Sequence, residues 1–143
     1  MSGTDPDARA QWEEARRWFA IAEEDLRVAG LCLHADVPSL EAAAYHCQQA
    51  AEKLMKGLLV AAALPFRKVH DLDELADHAV DTYPKLTAYL DFCRPLTRWG
   101  TLFRYPTLGD EAELRPSKAE ISEAVERLTS LGEAIRRFDP SEA

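Results

Sequence analysis

Apolar residues recur at intervals of three and four along most of this chain, the spacing that lines one side of an α-helix. Trp12, Ala15, Phe19, Ala22, Leu26, Ala29 and Leu33 form the first such seam and predict a helix over about Asp7 to His34. Pro38 and Ser39 reset the chain, with Ser39 as the expected N-cap, and a second helix is expected to run to about Ala63, where Leu64-Pro65 stops it. Asp71 is suited to cap a short third helix through Ala79, with Leu72, Leu75, Ala76 and Ala79 turned inward. A fourth begins near Pro84, a residue favoured in a first turn; it carries Leu86, Leu90, Cys93 and Leu96 and should kink or restart at Pro95. After Gly100 the pattern lapses, so Thr101 to Arg115 reads as a loop. Ser117 with Glu120 has capping-box spacing and opens a last helix whose seam is Ile121, Ala124, Leu128, Leu131, Ile135 and Phe138. Three long amphipathic helices and two shorter ones predict an all-α fold, an antiparallel bundle of about five helices in a single domain over residues 1–143.

The second helix carries more than a core pattern. At about 100° per residue, Leu40, Ala43, Ala44, Cys47, Ala50, Ala51, Leu54, Met55, Leu58 and Ala62 share one broad apolar arc. His46, Gln49, Lys53 and Lys56 line one border of the polar arc beside it. An imidazole, an amide and two ammonium groups in a stripe suit an anion or a nucleotide, with Lys as a point charge and Gln as both donor and acceptor. The structural alternative is that Gln and Lys are good helix formers on a wet face.

Composition narrows the choice of partners. Charged residues make up 29% and hydrophobic ones 47%, a globular balance. A net charge of −8 argues against coating nucleic acid by charge alone, which needs a basic face. Cys32, Cys47 and Cys93 have no Cys-x-x-Cys spacing, so neither a disulfide framework nor a zinc site is expected; they read as small core residues. No apolar run nears twenty residues and no leader pattern opens the chain, which leads to the expectation of a cytoplasmic protein with no membrane segment. Trp12, Trp18 and Trp99 are read as core or interface residues.

The run His46-Cys47-Gln48-Gln49-Ala50-Ala51-Glu52-Lys53-Leu54-Met55-Lys56-Gly57-Leu58-Leu59, then His70-Asp71-Leu72, then Arg104-Tyr105-Pro106, resembles the HEPN domain family, named for nucleotide binding in higher eukaryotes and prokaryotes. Trp18, Ala22, Asp25, Leu26 and Ala29 complete the pattern on the first helix. The resemblance implies the same helical architecture and, as a partner, a minimal nucleotidyltransferase of the kind often paired with these domains. It also bears on catalysis. The family's metal-independent endoribonucleases use an Arg followed about four to six residues later by a His, where His would act as acid or base on the ribose 2′-hydroxyl and Arg would steady the phosphate. Here His34, His46, His70 and His78 all precede Arg94, Arg98 and Arg104, and no Arg stands at that spacing before any of them. The chain is similar to the branch of the family that does not look nucleolytic.

No Gly-rich phosphate loop, Ser-His-Asp set, catalytic carboxylate pair or metal-ligand spacing is recognisable, so no cofactor or metal is expected. Arg104 and Tyr105 read either as a phosphate-binding cation beside a stacking ring or as an Arg that pairs with a second-helix carboxylate such as Glu52. The candidate ligand-binding set is therefore His46, Gln49, Lys53, Lys56, Arg104 and Tyr105, with His46, Gln49, Lys53 and Arg104 expected to border one polar pocket. The leading expectation is an accessory protein, a nucleotide- or RNA-binding helical homodimer working with a nucleotidyltransferase. The alternatives are an endoribonuclease toxin of a toxin-antitoxin pair, using His46 with Arg104, and an interaction module without a ligand.

Overall fold

The computed structural model describes residues 6–66, 71–101 and 115–142, and every regular element among them is helical. α1 spans Pro6–Leu33, α2 Leu40–Ala61, α3 Leu72–Thr82, α4 Thr87–Cys93 and α5 Lys118–Arg136. Short 3-10 segments at Pro84–Leu86 and Arg94–Gly100 flank α4, and another at Pro140–Glu142 follows α5. The fold is an all-α antiparallel bundle with α2 at its centre, packed against α1, α3, α5 and the 3-10 segment after α4. No helix among the described residues is long and apolar enough to cross a membrane.

The seams read from the sequence are the core. Ala15, Ala22, Ala29 and Leu33 of α1 meet Ala43, Ala44, Cys47, Ala50, Ala51 and Leu54 of α2, all of them buried. Alanine on both sides lets two backbones approach closely, since no long side chain holds them apart. At Gly57 the approach is closest: the ring of Phe19 lies on the bare backbone, and a Cβ at that position would overlap it. Leu75, Leu90, Ile121, Leu128 and Leu131 close the core from α3, α4 and α5. Trp12 and Trp99 are buried, and Trp18 packs edge-on against Phe66 with centroids 6.1 Å apart. Cys47 and Cys93 are buried too, which pushes both thiols up to about 12 and keeps them unreactive.

The helix ends follow their capping chemistry, with two corrections. Asp71 accepts from the Asp73 N–H at 2.9 Å, and Ser117 with Glu120 forms a complete capping box. Ser39 precedes α2 but its side chain makes no cap bond; its own N–H donates to the Cys32 carbonyl at 2.9 Å and closes the α1–α2 connection. The expected fourth helix is three pieces. Pro95 has no N–H for the Asp91 carbonyl, which takes the Arg94 N–H instead, and this three-residue spacing starts the 3-10 segment.

α2 ends in a Schellman motif without its usual glycine. Leu64 N–H reaches the Leu59 carbonyl at 2.9 Å and Ala63 N–H the Val60 carbonyl at 3.0 Å. That geometry places Ala63 at φ 56°, a left-handed conformation that strains a residue with a Cβ. Relief of the strain outweighs the extra freedom glycine brings to the unfolded chain. Ala63→Gly is therefore expected to raise unfolding stability by about 0.5–1 kcal/mol. Urea denaturation checks this, and a loss of stability would mean that the Ala63 methyl contributes packing that offsets the strain.

Candidate functional site: a buried polar network and the groove beside it

Because α2 is surrounded by helices, its polar edge cannot reach bulk water along its whole length. Gln48 is 2% exposed, Glu52 1% and Lys56 8%. A carboxylate so deeply buried is tolerable only when paired and hydrogen-bonded, and a network of side chains from the same helix supplies the partners. Lys53 Nζ donates to Gln49 Oε1 at 3.0 Å, and Gln49 Nε2 donates to Gln48 Oε1 at 2.7 Å. Gln48 Nε2 donates to Glu52 Oε1 at 3.5 Å, and Lys53 Nζ returns to Glu52 Oε2 at 3.4 Å. These four side chains form a closed loop in which each amide points its oxygen toward the ammonium end and its nitrogen toward the carboxylate. Lys56 adds a second ammonium to Glu52 Oε2 at 3.3 Å and lies 5.9 Å from the centre of the Phe66 ring. Among the described residues no buried side-chain polar atom lacks a partner.

A groove of about 750 Å³ runs beside this network. Gln48 and Gln49 form one wall, Asp71 and Asp73 at the start of α3 another, and Arg94, Thr97, Arg98 and Thr101 the third. Gly100 packs directly on the Gln48 amide, where a Cβ would stand 2.9 Å from Oε1, so the wall closes only because that residue lacks a side chain. Thr97 Oγ1 accepts from the Leu72 N–H at 3.0 Å and ties the 3-10 segment to the first turn of α3. Arg94 ties it further, reaching Asp77 at 2.8 Å, Asp91 at 2.9 Å and Asp73 at 3.3 Å. The bonds to Asp77 and then Asp91 raise its guanidinium above the ordinary Arg range. Arg94 is therefore spent on structure. Arg98 is exposed and has no side-chain partner among the described residues, which leaves a guanidinium at the rim for a ligand.

The candidate residues separate into three groups. Gln49 and Lys53 join each other, and Gln49 lines the groove. Lys56 is drawn inward by Glu52. His46 faces α1 instead: its Nδ1 lies 2.9 Å from Asp25 Oδ1, and its ring meets Tyr45 edge-on with centroids 5.4 Å apart. Arg104 and Tyr105 lie outside the described residues, as does His70. Sequence reasoning missed Gln48 as a site residue, although Gln48 and Glu52 stand four apart, the spacing at which helical side chains meet. It also missed Arg98, which no local pattern separates from Arg94. Among the described residues no three His, Cys, Asp or Glu side chains converge as metal ligands would.

The network makes a stability prediction. Glu52→Ala leaves two ammonium groups in a buried setting without their carboxylate and should cost about 3–5 kcal/mol. Replacing the three charges and Gln48 together, with Glu52→Leu, Lys53→Met, Lys56→Met and Gln48→Leu, should restore part of that loss. Chemical denaturation of both variants tests the pair, and a Glu52→Ala protein as stable as wild type would remove the structural role.

A search of curated proteins and a search of solved structures each found no match. The family comparison did: the model of the HEPN domain matches residues 15–138, from Ala15 in the third turn of α1 to Phe138 beyond α5. That span takes in all of α2 with its polar network and the three walls of the groove, and the chain therefore belongs to the HEPN domain family.

Proposed function

We propose that this chain is a nucleotide- or RNA-binding accessory protein, active as a homodimer beside a minimal nucleotidyltransferase, with its ligand in the groove between α2, α3 and the 3-10 segment. The observation that carries the reading is the closed loop of Lys53, Gln49, Gln48 and Glu52, which fixes an amide wall facing a roomy groove with an uncommitted Arg98 at its rim. About 750 Å³ lies within the usual range for small-molecule sites. Arg98 suits a phosphate, while the amides, the Thr97 and Thr101 hydroxyls and the Asp71 carboxylate suit the donors and acceptors of a base and ribose. Four carboxylates, Asp71, Asp73, Asp77 and Asp91, stand on or behind the same walls, so a ligand with one or two charges fits better than a long polyphosphate. Arg104 and Tyr105 follow Thr101 by three and four positions and are proposed as its further cation and stacking ring.

Calorimetric titration with nucleoside monophosphates tests the site. Arg98→Ala and Arg104→Ala should each weaken binding by about 1–3 kcal/mol, the usual loss for a charge-assisted hydrogen bond, and Lys53→Ala should weaken it indirectly by releasing the Gln49 amide, with helicity retained. Variants that bind like wild type but melt earlier would reduce these residues to structural roles.

One observation favours a second reading. The Asp25 carboxylate on His46 Nδ1 leaves Nε2 as the ring's other nitrogen, an arrangement that orients a general base. The endoribonuclease alternative would use it. The absence of the Arg and His spacing tells against that alternative, and purified protein is expected not to cleave generic RNA without metal. Cleavage that disappears with His46→Ala would reverse the order of the two readings.

A further inference from the structure

On the other side of the bundle α1 and α5 part to leave a slot of about 540 Å³. Its floor is apolar, built from Trp12, Phe19, Leu26, Leu54, Leu128 and Ile135. Its lips are unusually small: Ala20 on α1 and Gly132 on α5. Glycine inside a helix is less stable than alanine, because it gains backbone freedom on unfolding and packs nothing. Such a residue needs a reason. At Gly57 and Gly100 the reason lies within the chain, since Phe19 and Gln48 occupy the space a Cβ would take. At Gly132, as at Gly30 in α1, nothing lies within 4 Å of where a Cβ would stand, but only Gly132 of the two lines the slot. No described residue explains the missing side chain; what it does is keep the slot open at its edge.

The rim is charged and ordered. Arg16 makes a two-pronged bond to Asp139, at 2.8 and 2.9 Å, and Arg136 reaches Glu23 at 2.5 Å, so both pairs cross from α1 to α5 or its extension. These bridges hold the helices at a fixed separation. They also engage both rim cations, while Glu133 and Glu142 line the slot with no ion pair of their own among the described residues and act on Arg136 and Arg16 only through charge. The slot thus presents an apolar floor, small lips and an excess of negative charge, with Glu23, Glu133, Asp139 and Glu142 set against Arg16 and Arg136. That combination fits a helix whose apolar ridge is flanked by Lys or Arg. A second copy of this chain fits poorly, because it carries a net charge of −8 and would bring a like charge to the rim.

We propose that the slot between α1 and α5 is a docking groove for a basic amphipathic helix of a partner protein, its apolar ridge seated between Ala20 and Gly132 and its cations facing Glu133 and Glu142. This surface is separate from the groove beside α2, so its test does not depend on nucleotide binding.

The probe is a fluorescein-labelled model helix of leucine and lysine with leucines at i, i+3, i+4 and i+7, and its control is the same peptide with glutamate for lysine. Fluorescence anisotropy with the full chain should show the lysine peptide binding and the glutamate peptide not binding. Gly132→Leu, which fills the slot, should weaken the lysine peptide at least about tenfold without lowering the melting temperature. Ala20→Leu enters from the opposite lip and should do the same; it serves if the Gly132 variant fails to fold. Glu133→Lys combined with Glu142→Lys should also weaken binding. Equal binding by wild type and both slot-filling variants would mean that charge alone attracts the peptide, and would overturn the proposal. A change in oligomeric state by light scattering when Gly132 is replaced would assign the slot to a second copy and overturn it equally.

Discussion

The close packing of α1 on α2 is the constraint from which the rest of the molecule follows. Alanines on both helices and the bare backbone of Gly57 bring the pair together, and α3, α5 and the Arg94–Gly100 segment then enclose α2 from its other sides. A central helix of 22 residues cannot keep a conventional wet face once it is enclosed. Its polar side chains must either be lost to apolar ones or satisfy one another. Here they satisfy one another, and the surface features of the α2 edge are a consequence of that enclosure.

Burial gives the network its directional character. In water Gln49 and Lys53 would exchange partners with solvent, and their mutual bond would be worth little. With Glu52 shielded, each donor and acceptor has a defined counterpart, and in the low dielectric of the interior an orphaned member costs more than the bond itself contributes. A polar loop of this kind contributes little net stability compared with an apolar core of equal volume. Its effect is positional: it holds the Gln48 and Gln49 amides in one arrangement along the groove wall, so that under the proposed function the ordering cost is met during folding and not during binding.

The helical seams were legible because each rests on a period of three and four that one sequence displays in full; Ile121, Leu128, Leu131 and Ile135 needed no tertiary knowledge to be placed inward. The capping of α3 by Asp71 and of α5 by Ser117 was legible for the same reason, since both motifs are local. Pro95 announced a break, but whether it kinks or restarts a helix depends on the packing of the Arg94–Gly100 segment over Gln48, a contact between residues about 50 positions apart. The site was harder to read. His46, Gln49, Lys53 and Lys56 share a helical edge in projection, yet what each side chain faces is set by its neighbours: Asp25 turns His46 toward α1, and Glu52 draws Lys56 inward. Glu52 itself enters the sequence reading only as a carboxylate that Arg104 could pair with, and its i, i+4 spacing to Lys56 is one that an exposed helix would show equally well. Its burial is a property of the surrounding helices and has no local signature. The groove was invisible for a similar reason, because its walls come from three separated stretches of chain.

The groove and the slot both depend on α2, on different sides of it. Gln49 faces the groove and Leu54 floors the slot; five residues apart, they project about 140° from each other around the helix axis. A rigid, fully paired helix thus separates a polar surface from an apolar one, and the bridges at the slot, Arg16 with Asp139 and Arg136 with Glu23, share no residue with the clamp that Arg94 makes on α3. The Arg16 hydrogen bond keeps the Asp139 carboxyl down at about 2. The two surfaces are therefore braced by separate sets of ion pairs. Under the function and the docking groove proposed above, two independently supported faces would let the bundle hold a ligand and a partner at the same time.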